Sequence, residues 1–352
     1  DKIICDKFFS KAQLMLSLLF LFLGCDAPKE FFEIQGKTMG TSYSVKIGIV
    51  QKNINIESIK WEIDSILIDL NHEMSTWDPK STISKFNRWD SNEPFEVSRK
   101  IIEVMSNSLD VSNKTNGHFD VTVYELMGIW GFGPNPSKGI PNKRQLEKTL
   151  LATGFDKVKV QGESLVKVNK NVKIDFNSIA KGYGVDLIFD YLKSNGIHDI
   201  FVEIGGEVRC QGKNNSNKNW SVGIENVNNK KIANRGVLGV LNLNNKAIAT
   251  SGNYRNFINV DGDVIGHTIN PKTGYPIQTN VLSVTVISNS CMRADAWATA
   301  LMTMNYAKGK ELVQGQDSLD AIWLIEAGDN LKMIGLTNDS FLTKNKYNIT
   351  DY

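Results

Sequence analysis

Between Val158 and Val260 the chain strings short β-type runs and a single helix together without regular strand–helix alternation. A doubly wound parallel sheet needs a crossover helix between successive strands, so this ordering argues for an α+β fold. Thr41 to Ile49 alternates like a half-buried strand. Ile56, Ile59, Ile63, Ile66, Leu67, Leu70 and Met74 recur at helical spacing and predict an amphipathic helix over 56–74. A second helix is expected over 98–115, closed by Asn116-Gly117 in the manner of a C-cap. Gly128 to Pro141, rich in Gly and Pro, reads as a long loop. Val158 to Ile174 reads as a meander, followed by a helix from about Ile179 to Lys193 and a buried strand from Asp199 to Ile204. Gly205-Gly206 breaks that strand. Further strands are expected between Val208 and Val260, at Val281–Ile287 and at Ala321–Ile325, with a helix from Cys291 to Met304. The tail beyond Phe341 is polar.

A chain of 352 residues, 41% of them hydrophobic, can bury a sizeable core, as one large domain or as two lobes with a site between them. Lys and Arg number 40 against 38 Asp and Glu, so a net charge of +2 gives no electrostatic case for nucleic acid. Cys5, Cys25, Cys210 and Cys291 lack metal-ligand spacing, and two of them precede the globular body, which argues against a disulfide framework.

The N-terminus reads as a targeting segment. Lys2, Lys7 and Lys11 precede an apolar run from Leu14 to Leu23, the length of a signal-peptide core and short for a membrane span. It ends at Leu21-Phe22-Leu23-Gly24-Cys25, which resembles a bacterial lipobox with Phe22 where an aliphatic residue is usual. The alternative is an uncleaved anchor. The expected organisation is a signal peptide over 1–24, a lipidated Cys25 with a linker over 25–34, a domain over 35–340 and a loose tail over 341–352. Either way the body is expected outside the cytoplasm at a membrane surface. Asp26 after the cysteine goes with the periplasmic side of an inner membrane.

Several short motifs carry chemistry. In Lys173–Asp186, KIDFNSIAKGYGVD, an acid stands just ahead of a helix start and Lys181 falls in its first turns. Small side chains near a helix N-terminus favour phosphate, although a lysine there is more often a solvated surface residue. Asp295 and Thr299, four apart in a small apolar helix, share one face. Two hard oxygen donors suit Mg²⁺, whereas a lone early-helix aspartate is more often a cap. His267 opens HTINPKTGYP, whose prolines and glycine build a rigid turn that can aim a side chain. Gly117-His118-Phe119-Asp120 reads locally as a helix-ending turn before a strand-like Val121–Val123. Trp77 suits stacking on a flat ring or ordinary core packing.

Taken together and in order, Met39-Gly40-Thr41, Gly117-x-Phe119-Asp120, the Asp175–Gly182 segment, His267-x-x-x-Pro271-x-Thr273-Gly274 and Ala294–Ala300 resemble the ApbE family of FAD:protein FMN transferases. The resemblance runs from about Gly36 to Met304. It implies one large, T-fold-related α+β domain. It also implies FMN transfer from FAD to a threonine hydroxyl of an acceptor protein, releasing AMP, with Mg²⁺ or Mn²⁺. It places the metal at Asp295, Thr299 and the Ser178 carbonyl, and FAD at Met39, Trp77, His118, Phe119, Asp120, Asp175, Lys181 and Ile269. His267 is then a candidate for proton transfer. The implied acceptors are flavin-carrying subunits of Rnf or Na⁺-translocating NADH:quinone reductase complexes. The alternatives are an FAD pyrophosphatase using the same site and a non-catalytic FAD-binding lipoprotein.

Overall fold

The computed structural model describes residues 29–49, 55–137, 139–226, 236–253, 257–260, 263–327 and 330–336. The expected signal peptide, Cys25 and the tail beyond Phe341 lie outside them. Eight strands form one antiparallel sheet in which neighbours follow chain order. They are β1 (Glu30–Thr38), β2 (Thr41–Ile49), β3 (Asp199–Ile204), β4 (Glu207–Gln211), β5 (Lys246–Gly252), β6 (Val281–Ser288), β7 (Asp320–Ala327) and β8 (Asn330–Leu336). The chain departs from this meander to insert its helices. Between β2 and β3 come α1 (Ile56–Met74), α2 (Thr82–Arg88), α3 (Arg99–Lys114), α4 (Tyr124–Ile129), α5 (Lys143–Ala152) and α6 (Ala180–Ser194). Between β6 and β7 come α7 (Cys291–Met302) and α8 (Tyr306–Gln314).

Period-two alternation gives the sheet two faces. Val208, Cys210, Ile248, Ile287, Ile322 and Leu324 pack under a hairpin of Trp220–Glu225 and Val237–Leu243. The opposite face, with Ala249, Val284, Val286, Ala321 and Trp323, packs on α7 and on the helices inserted after β2. That core is continuous from Met74 and Phe86 through Met105 to Trp297. The insertion and the sheet therefore share one core and do not form two lobes.

Helix α1 has the expected bounds, buries Ile59, Ile63, Leu67, Leu70 and Met74, and is capped by Asn55, which accepts from the Glu57 and Ser58 amides. Such a cap contributes about 1 kcal/mol. Helix α3 stops at Thr115 because Asn116 (φ 51°) and Gly117 (φ 74°) adopt left-handed backbone. Other expectations are corrected. Strand β1 begins at Glu30, so the linker read over 25–34 is shorter, and half-buried residues such as Phe31 and Phe32 are paired with β2. Val121–Val123 is a turn into α4, which also takes Gly128 and Ile129 from the expected loop. The meander over 158–174 reduces to the hairpin Val158–Gln161 with Ser164–Lys167, joined by Phe95–Glu96. Helix α7 ends at Met302 rather than Met304. Helices α2, α5 and α8, whose short, mostly polar sequences carry weak periodicity, were not expected, nor was β8.

Candidate active site

Helices α6 and α7 meet at their N-terminal ends. A Cβ on Gly182 would lie 2.4 Å from the Cys291 carbonyl oxygen and 2.9 Å from Asp295 Cβ, so only glycine permits this approach. Asp186, one turn further along α6, locks the junction. It accepts from the Cys291 amide (3.0 Å), the Met292 amide (2.9 Å) and the Ser290 hydroxyl (2.8 Å), capping α7, while Arg209 of β4 pairs with it at 2.8 Å.

This junction sets Asp295 of α7 against the first turn of α6, which follows Ser178 in the chain. Asp295 is buried, and its Oδ2 accepts from the Gly182 amide at 3.0 Å. In an uninterrupted helix that amide would bond the Ser178 carbonyl. Among the described residues no donor takes the Ser178 carbonyl or Asp295 Oδ1. Thr299, one turn on from Asp295, holds the Ser251 hydroxyl at 3.2 Å. A carboxylate with one oxygen given to Gly182, a hydroxyl shared with Ser251 and a carbonyl without a protein donor are all hard oxygens, the donor type that suits Mg²⁺, which takes few protein ligands and keeps water or phosphate for the rest. No group of three or more His, Cys, Asp or Glu suited to a metal occurs among the described residues.

Lys181 stands beside this set, but it is not a free cation. Its Nζ donates to Glu207 Oε1 at 2.6 Å and lies 3.9 Å from Asp295 Oδ2. Burial alone would lower its pKa, yet Asp295 and Glu207 outweigh burial and raise it. Burial pushes the Glu207 carboxyl up, and Lys181 opposes that rise. The short contact is an ion pair with the proton on lysine. The phosphate-cradle reading is also narrowed, because the Ile179 and Ala180 amides turn back onto the Phe176 carbonyl and Gly182 serves Asp295.

The expected flavin residues fall into separate environments. Met39 (φ 47°) and Gly40 (φ 71°) form the tight β1–β2 turn, with Met39 packed beside Gly184 of α6. Trp77 is 62% exposed just after α1, which removes core packing as its role. The last turn of α1 is tied to the same β-turn, since Asn71 donates to Thr38 at 3.0 Å. Phe119 is fully buried in the core, so its side chain is structural. Asp120 spends both oxygens inside the protein, on the Thr122 amide and hydroxyl and on the Phe155 amide, and burial pushes its pKa up to about 6. Asp175 is buried, which raises its pKa, and accepts from the Asn177 amide at 2.9 Å. In Asp120 the turn-forming contacts expected of the Gly117–Asp120 segment are present.

His118 has one ring nitrogen 3.2 Å from the Thr303 carbonyl and the other 3.0 Å from Lys308 Nζ. An ammonium can only donate, so Nε2 accepts and the Nδ1 proton goes to Thr303. Burial and then Lys308 and Lys272 lower the His118 pKa, consistent with this neutral form. Thr303 also lines a cleft of about 210 Å³, bounded by Met302, Met304 and Asn305 at the end of α7 and by Asn270, Thr273 and Pro276–Thr279 opposite.

The His267 segment forms the far wall of that cleft. Ile269 bridges Pro276, Asn270 accepts from the Gly274 amide at 2.8 Å, and Trp130 donates to the Gly274 carbonyl at 2.6 Å. Ile269 is buried with Leu126, Trp130 and Leu146, and the His267 ring sits edge-on to Phe132 at 6.4 Å. Asn253 accepts from the Thr268 amide at 3.3 Å. It follows β5, so Ser251–Gly252–Asn253 links Thr299 to the histidine loop. Glu207 and Ser251 were missed as site residues. A contact between β4 or β5 and a distant helix leaves no local spacing in the sequence.

The ApbE family model matches residues 39–323. A Vibrio cholerae FAD:protein FMN transferase is 37% identical over 90% of this chain and 94% of its own length. The Escherichia coli FAD:protein FMN transferase is 32% identical over 92% and 94%. The solved flavin transferase ApbE of Vibrio cholerae superposes with a TM-score of 0.81 at 34% identity, covering 90% of this chain and 99% of that one. With a model match over most of its length and relatives of this identity and coverage, the chain belongs to the ApbE family.

Proposed function

We propose that the protein transfers FMN from FAD to a threonine hydroxyl of an acceptor protein and releases AMP. The observation that carries this is the α6–α7 junction. There Asp295 is held against the first turn of α6, with Thr299 one turn on, in a chain whose relatives are FAD:protein FMN transferases, which supports a hard-oxygen site of Asp295, Thr299 and the Ser178 carbonyl. In the reaction the threonine oxygen bonds the FMN phosphorus, the pyrophosphate P–O bond breaks, and AMP leaves with the bridging oxygen. When bound there, Mg²⁺ or Mn²⁺ supplies charge neutralisation at the pyrophosphate. The protein's own residues position the reactants. The cleft between the His267 segment and the end of α7 receives one end of the dinucleotide, and exposed Trp77 offers a face for ring stacking. His267 accepts the threonine proton, for which an imidazole has a suitable pKa.

The protein acts on the periplasmic side of the inner membrane, tethered through Cys25. The segment Leu21-Phe22-Leu23-Gly24-Cys25 supports a lipid tether, and among the described residues no helix is long and apolar enough to cross a membrane. Acceptors are flavin-carrying subunits of the Rnf or Na⁺-translocating NADH:quinone reductase type. The test is to incubate the protein with FAD, Mg²⁺ and such an acceptor, then run a denaturing gel. Flavin fluorescence on the acceptor band supports transfer. Free FMN and AMP with a dark acceptor identify a pyrophosphatase, and no AMP at all leaves only a binding protein.

A further inference from the structure

Lys181 has two carboxylates within reach. It contacts Glu207 at 2.6 Å and stops 3.9 Å short of Asp295, whose same oxygen already accepts the Gly182 amide. Glu207 reaches this position because it opens β4 directly after Gly205 (φ 60°) and Gly206 (φ 106°). Alternation along β4 then turns Glu207 and Arg209 toward α6, while Val208 and Cys210 face the other way. Glu207 is 4% exposed, and its Oε2 has no hydrogen-bond partner among the described residues. Leaving one oxygen of a buried carboxylate without a hydrogen-bond partner is destabilising.

We propose that Glu207 is a positioning residue that withholds the Lys181 ammonium from Asp295 and so keeps the Asp295 carboxylate for a divalent cation. This rests on the cation site proposed above. An ammonium and a divalent cation compete for one carboxylate. Without Glu207 the nearest anion to Lys181 is Asp295, and the lysine has little distance to cover. With Glu207 in place, the ammonium stays close enough to add positive charge beside the site without occupying the ligand.

Binding of Mn²⁺ to the purified full chain, followed by electron paramagnetic resonance of the free ion without FAD, tests this. Glu207→Gln is expected to weaken Mn²⁺ binding about tenfold, and adding Lys181→Met is expected to recover most of that loss. Lys181→Met in the otherwise wild-type chain is expected to change binding much less, because that lysine is already held away. The two substitutions are therefore non-additive. Additive effects, as simple long-range charge changes give, or an unaltered affinity in Glu207→Gln, overturn the proposal. Should Glu207→Gln not fold by circular dichroism, Glu207→Leu enters the same cycle with the same expectation. Absence of Mn²⁺ binding by the wild-type chain overturns the cation site and this proposal together.

Discussion

The Gly182 amide donates to Asp295 Oδ2 at 3.0 Å, joining the first turn of one helix to a side chain 113 residues away. This bond diverts Gly182 from the Ser178 carbonyl and fixes the carboxylate. The placement of Asp295 is therefore a property of the α6–α7 junction rather than of either motif alone.

The junction has no room for a methyl group at position 182. Gly182→Ala places carbon within 2.4 Å of the Cys291 carbonyl oxygen, and backbone cannot swing aside as a side chain can. The variant is expected to lose about 1–3 kcal/mol of unfolding free energy and to bind Mn²⁺ more weakly than wild type. Urea unfolding and a Mn²⁺ titration check both. Wild-type values for each would mean the helices separate freely.

Asp295→Ala removes the single carboxylate of the donor set. FMN transfer and AMP release are expected to fall to background in excess Mg²⁺, while FAD binding, measured by flavin fluorescence quenching, changes little. Undiminished AMP release would move the metal elsewhere.

Burial raises Asp120 to about 6 from an ordinary 3.8. The folded protein therefore holds a proton that the unfolded chain releases between those values. That contribution to stability is complete below about pH 4 and is lost as pH rises through 6. Asp120→Asn carries no such proton. The stability of wild type relative to the variant is expected to decline by on the order of 2–3 kcal/mol between pH 4 and 7. A pH-independent difference in urea unfolding would show that Asp120 is ionised throughout.

The fold was legible where periodicity was strong and local. The helix over 56–74 and the strands at Thr41–Ile49 and Asp199–Ile204 have the expected bounds because apolar spacing and Gly or Asn stops coincide there. Phe31 and Phe32 were read as linker because the segment that opens β1 is short and mixed with charge. The site divides in the same way. Asp295 meets the first turn of α6 through the Gly182 amide, and Thr299 follows one turn along α7. The acids at Asp120 and Asp175 are spent on turns, and Glu207, the direct partner of Lys181, was passed over. Local spacing cannot show that β4 lies under α6.

His267→Asn is expected to retain FAD and Mn²⁺ while transfer slows about 10²–10⁴-fold, the usual contribution of a general base. The wild-type rate should fall as pH drops through the histidine range, and the variant should lose that limb. A variant keeping both the rate and the limb would make His267 a scaffold for the turn beside Phe132.

The most direct test of the whole account is the intact mass of a threonine-bearing acceptor after incubation with the protein, FAD and Mg²⁺. The account predicts a gain of one FMN less water, matched mole for mole by AMP and absent from an acceptor with that threonine changed to alanine. An acceptor of unchanged mass beside accumulating free FMN and AMP would contradict it.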